Sequence, residues 1–285
     1  MRYLLVLLLL VLSVFGFEVE VVNSSIQNGK VALLELKKEK NISYEDALFD
    51  GRAYKILAHP KKSEIFYLLI PIDYEEKIAK KNIEIFYKEN DKQKSKIVAL
   101  DIKEAKYEKE TLQVDGSKVT LSEKDKARSS QEYAEAMKIY NTSTPKSLVS
   151  STFIVPLESK ITSDFGRARV YNNALKGYHG GTDFRASVGT PIVAANDGVV
   201  VLAKDRFYSG MSVLIDHGHG IYSCYFHMSR FDVKEGTKVK KGDVLGLSGN
   251  SGRVSGPHLH FGIRVGSKQV DPLHFIALIN KNLLL

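Results

Sequence analysis

A mainly β chain in two domains, bridged by a single helix, is the fold class the sequence predicts, and three observations carry it. Between Gly29 and Ile102, short segments rich in β-branched and aromatic residues follow one another, separated by turn signals such as Asn28-Gly29 and Asp50-Gly51. Near Ser122 the pattern becomes that of a capped helix. From about Phe153 onward, glycine-punctuated hairpins take over.

The elements follow in chain order. Met1-Arg2 precedes an apolar run from Leu4 to Phe15, too short to span a bilayer comfortably, with small residues near Gly16. Residues 1–16 are therefore expected to be a secretory signal, so the mature protein is exported to the periplasm or cell envelope without stable membrane insertion. Residues 17–120 form the N-terminal β domain. Its strands are 29–36, 53–57, 65–70, 82–87 and 97–102, whose spacing suggests a small immunoglobulin-like sandwich. The one histidine there, His59, precedes Pro60 in an expected loop.

Residues 121–152 supply the helix and linker. Ser122-Glu123-Lys124-Asp125 resembles a capping box, and Tyr133, Met137 and Tyr140 fall at helical spacing as a packing stripe. The helix is expected to end near Asn141, with Thr142-Ser143-Thr144-Pro145 as linker. Residues 153–280 form an antiparallel β domain whose strands floor a groove. Glycines at its tight turns supply the positive φ that other residues resist.

The 285 residues carry a formal charge of +8, spread along the chain. That balance fits attraction to an acidic polymer outside the cytoplasm. Nucleic acid is disfavoured by the export signal and by the lack of any recognition-helix or RNA-binding motif. A lone cysteine, Cys224, cannot form an intrachain bridge and is read as a buried structural residue. Strand alternation groups it with Tyr222 and Phe226, opposite His227.

The chemistry concentrates in two segments. In Gly256-Pro257-His258-Leu259-His260-Phe261, the period of two points both imidazoles at one face. Upstream, Tyr178-His179-Gly180-Gly181-Thr182-Asp183 adds an imidazole and a carboxylate beside two glycines that permit close backbone approach. Imidazole and carboxylate donors with a position left for water are what an open catalytic zinc site requires. Peptide hydrolysis also needs a group to exchange a proton and donors for the oxyanion. His227 and the spare member of the His258/His260 pair can supply both. His217 and His219 flank a hairpin glycine and His274 follows Asp271-Pro272; all three are read as structural. Arg169 and Tyr171 are weighed as groove-lining or loop residues.

The segments His179-Gly-Gly-Thr-Asp183, Tyr225-Phe226-His227-Met228 and His258-Leu-His260 resemble the LytM/lysostaphin-type (M23) zinc metallopeptidases. Ser163-Asp164-Phe165-Gly166-Arg167 and Gly189-Thr190-Pro191 add to the likeness, which runs from about Phe153 to Phe275. The resemblance implies a duplicated-hybrid-motif type of fold and one Zn²⁺ per chain, held by His179, Asp183 and His260. It implies His227 and His258 as catalytic histidines, and peptide bonds of bacterial peptidoglycan stem peptides as substrate. Phe226 and Met228 stand where the family more often has Ala and Leu; altered packing with intact chemistry is expected. Some relatives cover the open zinc position with an extra domain. Intramolecular inhibition by the N-terminal domain, hinged near Thr144-Pro145, is the corresponding expectation here.

Overall fold

The computed structural model describes residues 17–285; the export signal expected over 1–16 lies outside them. The first half of the chain forms two facing sheets. One has the spatial order Val19–Val21, Val31–Lys37, Ile65–Pro71, Leu57–Ala58. The other runs Ser25–Gln27, Lys92–Lys103, Lys80–Glu89, Ile42–Phe49, Arg52–Lys55. Alternation explains what lies between them: Ala32, Leu34, Leu36, Leu68 and Ile70 from the first sheet meet Ile83, Ile85, Leu100 and Ile102 from the second.

The Val31–Lys37 strand is apolar on both faces, and its second face has its own use. Val31 and Leu33, with Tyr67 and Leu69 of the neighbouring strand, enter the core of the C-terminal domain beside Phe275, Ile279 and Leu283. Full burial of a leucine such as Leu33 stabilises by about 1.5–3 kcal/mol. The domains are thus joined by a shared apolar core. His59 reinforces the junction: it is buried, its Nε2 lies 3.0 Å from the Asn282 carbonyl, and its Nδ1 accepts from the Lys61 and Lys62 amides.

The larger C-terminal sheet has the path Ile161–Ser163, Thr182–Arg185, His258–Val265, Ile221–Phe231, Gly210–Asp216, Gly198–Arg206, Lys238–Val239. Leu259, Phe261 and Ile263 face the core covered by helix α2 (Pro272–Ile279). Helix α1 (Glu123–Tyr140) covers part of the opposite face, seating Ala136 and Tyr140 on Leu202, Leu214, Tyr222 and Cys224. The remainder of that face is left for the site. Cys224 lies buried under α1, where burial pushes its thiol pKa up.

One reading of this region changes: Met137 and Tyr140 pack as expected, and Tyr133 does not. The α1 stripe is Glu132, Ala136 and Tyr140, while Tyr133 is 65% exposed. The helix is turned by the Glu132 carboxylate, which accepts from the Phe207 amide and from Arg128 Nε, both at 2.7 Å. Ser122 does cap the helix, accepting from the Asp125 amide. The linker beyond α1 lies along the C-terminal domain: the His219 amide donates to the Thr144 carbonyl at 2.8 Å, and the Leu148 amide to His217 at 2.9 Å. Among the described residues, no helix is long and apolar enough to cross a membrane.

One strand departs from the sandwich. Lys109–Leu112 pairs in parallel with Ala168–Tyr171, which pairs in turn with Leu175–Tyr178. This brings a piece of the chain's first half to the edge of the groove.

Candidate metal centre

Register places the donors. Thr182–Arg185 and His258–Val265 are antiparallel neighbours, and Asp183 stands directly opposite His260. Cross-strand partners share a face, so carboxylate and imidazole project together. His179 reaches the same point from the turn before Thr182, which Gly181 makes possible. A Cβ on Gly181 would sit 2.4 Å from the Phe261 carbonyl oxygen and 2.6 Å from His260 Nε2.

Three donor atoms converge. His179 Nε2 lies 2.9 Å from Asp183 Oδ1 and 2.9 Å from His260 Nδ1, and the last two atoms are 2.8 Å apart. All three residues are buried. His179 Nδ1 is 2.7 Å from the Asp164 carbonyl, an acceptor, so Nδ1 carries the proton and Nε2 presents its lone pair. A carboxylate oxygen and an imidazole lone pair aimed at each other, with a second imidazole nitrogen in contact with both, form a group that could hold a metal ion. The donor set of two imidazoles and one carboxylate fits zinc and leaves a fourth position.

Electrostatics agree with that state. Burial alone would raise the Asp183 pKa, but His179 and His260 outweigh it and hold the carboxyl well below the usual range. Burial pushes His260 down to about 4, against the pull of Asp183, so its ring is neutral at ordinary pH.

The second oxygen of Asp183 is restrained separately. Arg169 Nη2 donates to Asp183 Oδ2 at 2.9 Å and to Ser163 Oγ at 3.0 Å, and its Nε donates to Glu110 at 2.5 Å. Ser163 Oγ also lies 3.0 Å from Glu110. Such a clamp leaves Oδ1 as the single free donor of the carboxylate. Arg169 is therefore a partner of the carboxylate, where the sequence left it between groove and loop. Glu110 had no signal at all: it lies 59 positions before Arg169, on the strand that leaves the sandwich.

His258 and His227 flank the triad. His258 Nε2 is 3.6 Å from Asp183 Oδ1, while its Nδ1 lies 2.8 Å from the Gly256 carbonyl. The rings of His227 and His258 are 4.8 Å apart, and His227 Nδ1 is 2.8 Å from the Ser251 carbonyl. Each ring thus spends its Nδ1 proton on a backbone oxygen and keeps Nε2 as an acceptor. Burial, then the neighbouring His258 and His260, press the His227 pKa well below the ordinary value.

Strand alternation misplaces His227. It would send this ring to the Tyr225 side, away from Phe226. Instead His227 has φ of 63°, its amide donates to the Ser209 carbonyl, and the pairings on both flanks shift register here. The bulge turns the imidazole to the groove side, where Phe226 also lies, stacked on His260 at 5.3 Å with planes 2° apart. Phe226 is therefore a wall of the His260 ring. His217 is fully buried elsewhere, bonded to the Asp197 carbonyl and Ser223 hydroxyl at 2.7 Å each, and burial lowers its pKa to about 4.

The cleft beside the triad is lined by Asp183, His227 and His258, by Arg169 and Tyr171, by Arg253 of the 249–257 loop, and by Glu110, Leu112 and Val114. Its lining includes no residue of 17–105.

Known proteins share similarity with the part of the chain that carries this cleft. Residues 177–272 match the model of Peptidase family M23. Peptidoglycan DD-endopeptidase ShyA of Vibrio cholerae is 41% identical over 121 residues, which are 41% of this chain and 28% of that protein. DD-carboxypeptidase/endopeptidase Mpg of Neisseria meningitidis is 39% identical over 95 residues, 33% of this chain and 22% of that protein. The chain thus spans less than a third of the curated relatives it matches. A crystal structure of a Pseudomonas aeruginosa protein assigned to peptidase M23 aligns over 87% of this chain and 94% of that one, with 26% identity and a TM-score of 0.67.

Proposed function

We propose, from the match of residues 177–272 to the model of Peptidase family M23, that this chain is an exported zinc endopeptidase cutting D,D cross-links of bacterial peptidoglycan. The observation that carries the reading is the meeting of His179 Nε2, Asp183 Oδ1 and His260 Nδ1 below 3 Å, with two further histidines on the rim. Similarity to proteins named DD-endopeptidase supports the choice of bond.

In this reading His179, Asp183 and His260 would hold one zinc ion, which would supply an electrophile for the peptide carbonyl and lower the pKa of water. The remaining work belongs to side chains. His258 and His227 present Nε2 lone pairs to the cleft, so each is set to take a proton from the attacking water. The protonated ring then donates, either to the oxygen gaining charge on the carbonyl or to the departing amine. Arg169 keeps the Asp183 carboxylate turned, and Phe226 keeps water from one face of His260.

A D,D-carboxypeptidase acting on stem peptides is the alternative, favoured by the double name of the Neisseria relative. A non-catalytic regulator would tolerate loss of a donor, and all five histidine and aspartate positions are in place. The N-terminal sandwich is read as immunoglobulin-like from its four- and five-stranded order. Its role is read in two ways, intramolecular inhibition or support of the cleft, which Glu110, Leu112 and Val114 of residues 17–120 help to line. Deleting residues 18–120 would raise activity under intramolecular inhibition and lower it under support.

The deciding experiment digests purified muropeptides with the zinc-loaded chain and follows products by mass spectrometry. Cross-linked dimers are expected to become monomers, with the conversion abolished by chelator and restored by zinc. Intact dimers and intact pentapeptides after digestion would remove the hydrolase reading.

A further inference from the structure

We propose that Arg253 is the specificity residue of the cleft, binding a free carboxylate on the residue at the amine side of the scissile bond. The inference rests on the peptidase reading and says which peptides it applies to. Arg253 lies on the loop whose carbonyls at Ser251 and Gly256 orient His227 and His258, and it lines the same cleft as both. Its guanidinium lies over two rings, with Cζ 4.1 Å from the centre of Tyr171 and 4.4 Å from that of Tyr208. Its amide donates to the Tyr208 carbonyl at 2.8 Å.

Contact with two aromatic rings restrains the group without using its N–H donors, which stay available to a ligand. The other guanidinium in this cleft, Arg169, has its donors committed to Asp183, Ser163 and Glu110. That same clamp occupies the two carboxylates of the cleft, so among the described residues Arg253 is the lining cation without an anionic partner. The backbone is arranged to keep it there. Gly252 has φ of +81°, and a Cβ on it would meet the Gly210 amide nitrogen at 2.4 Å.

A planar fork of N–H donors recognises a carboxylate. Two kinds of peptide offer one beside the scissile amide. In a linear peptide it is the C-terminal carboxylate. In a branched cross-link it is the unlinked carboxylate of the diamino acid whose side-chain amine forms the amide. A glycine bridge offers none, because the glycine carboxyl is itself in a peptide bond.

The test uses the full zinc-loaded chain and three synthetic peptides with a common acyl side: the linear free acid, its C-terminal carboxamide, and the branched free acid. Wild type is expected to prefer a free acid over the carboxamide by about 10- to 100-fold in kcat/KM, mostly through KM. The faster of the two acids identifies the source. Arg253→Gln is expected to bring the ratio close to one, and Arg253→Lys to keep part of it. Arg230→Gln, a surface arginine paired with Asp232, is expected to keep the wild-type ratio. Zinc per chain, measured alongside, separates a folding defect from lost recognition; should Arg253→Gln fail to fold, Tyr208→Leu reads the same ratio. Equal cleavage of acid and carboxamide by wild type, or an unchanged ratio in Arg253→Gln, overturns the assignment and leaves peptide hydrolysis standing. Failure of the wild type to cut any of the three overturns the peptidase reading and the inference with it.

Discussion

The N-terminal sandwich and the C-terminal sheet are built from the same alternating strands, yet only the second buries ionisable groups together. Between its sheets the sandwich holds Leu34, Leu68, Ile70, Ile83 and their neighbours; its buried polar side chains, His59 and Glu89, lie apart and face carbonyls or lysine. The C-terminal sheet buries His179, Asp183, His227 and His260 within one cluster, and His217 beneath the opposite face. An unpaired buried charge is costly, so a cluster of this kind persists only where its members satisfy one another or a bound cation. The difference teaches where ionisable groups are concentrated. The sandwich contributes apolar area to the shared core and one departing strand, and the sheet carries the donors.

That contrast can be broken in three places. The largest effect is expected from Asp183→Ala, which should remove stoichiometric zinc and lower muropeptide cleavage on the order of a thousandfold while leaving the circular dichroism of both domains. Full zinc occupancy in that variant would mean that the cluster is not the metal site.

Acid should separate the domains next. The folded-state pKa of His217 is about 4, below the value near 6.5 of the unfolded chain. Between those values the unfolded chain binds the extra proton, so this group lowers stability as pH falls from about 6.5 to about 4 and adds no slope outside that window. The loss is on the order of 3 kcal/mol. Hydrogen exchange followed against pH should show the C-terminal sheet opening first, and His217→Gln should flatten the trend. Earlier loss of protection in the sandwich would contradict the contrast.

The smallest effect sharpens it. Arg169→Leu should weaken zinc binding by about 10- to 100-fold, measured by competition with a chromophoric chelator, because Asp183 loses the restraint on its second oxygen. Glu110→Gln should reproduce a fraction of that loss through Arg169. An unchanged affinity in both would make the departing strand a neighbour of the site and nothing more.

Much of the site was legible because its parts are local. A histidine pair two apart on a strand needs only the β period to share a face, and His179 and Asp183 lie within one turn and strand start. The same rule failed at His227, where a positive φ reverses the side that alternation assigns. Helical spacing failed separately at Tyr133: a buried carboxylate, Glu132, outcompeted an aromatic ring for the inner face of α1. The apolar second face of Val31–Lys37 was visible as composition, but its partner was not, because the residues it meets come some 240 positions later.

From the sequence alone came the candidate donors that the fold brings together, the glycines that let strands approach, the capped helix and the β character of both halves. Each follows from interactions within a few residues, where covalent geometry limits the choices. Tertiary structure decided which nitrogen of each ring is free, which oxygen of Asp183 is spent on Arg169, and that a strand from the first half closes the groove. Those outcomes depend on carbonyls and cations brought in from distant segments, and only the folded chain sets their distances.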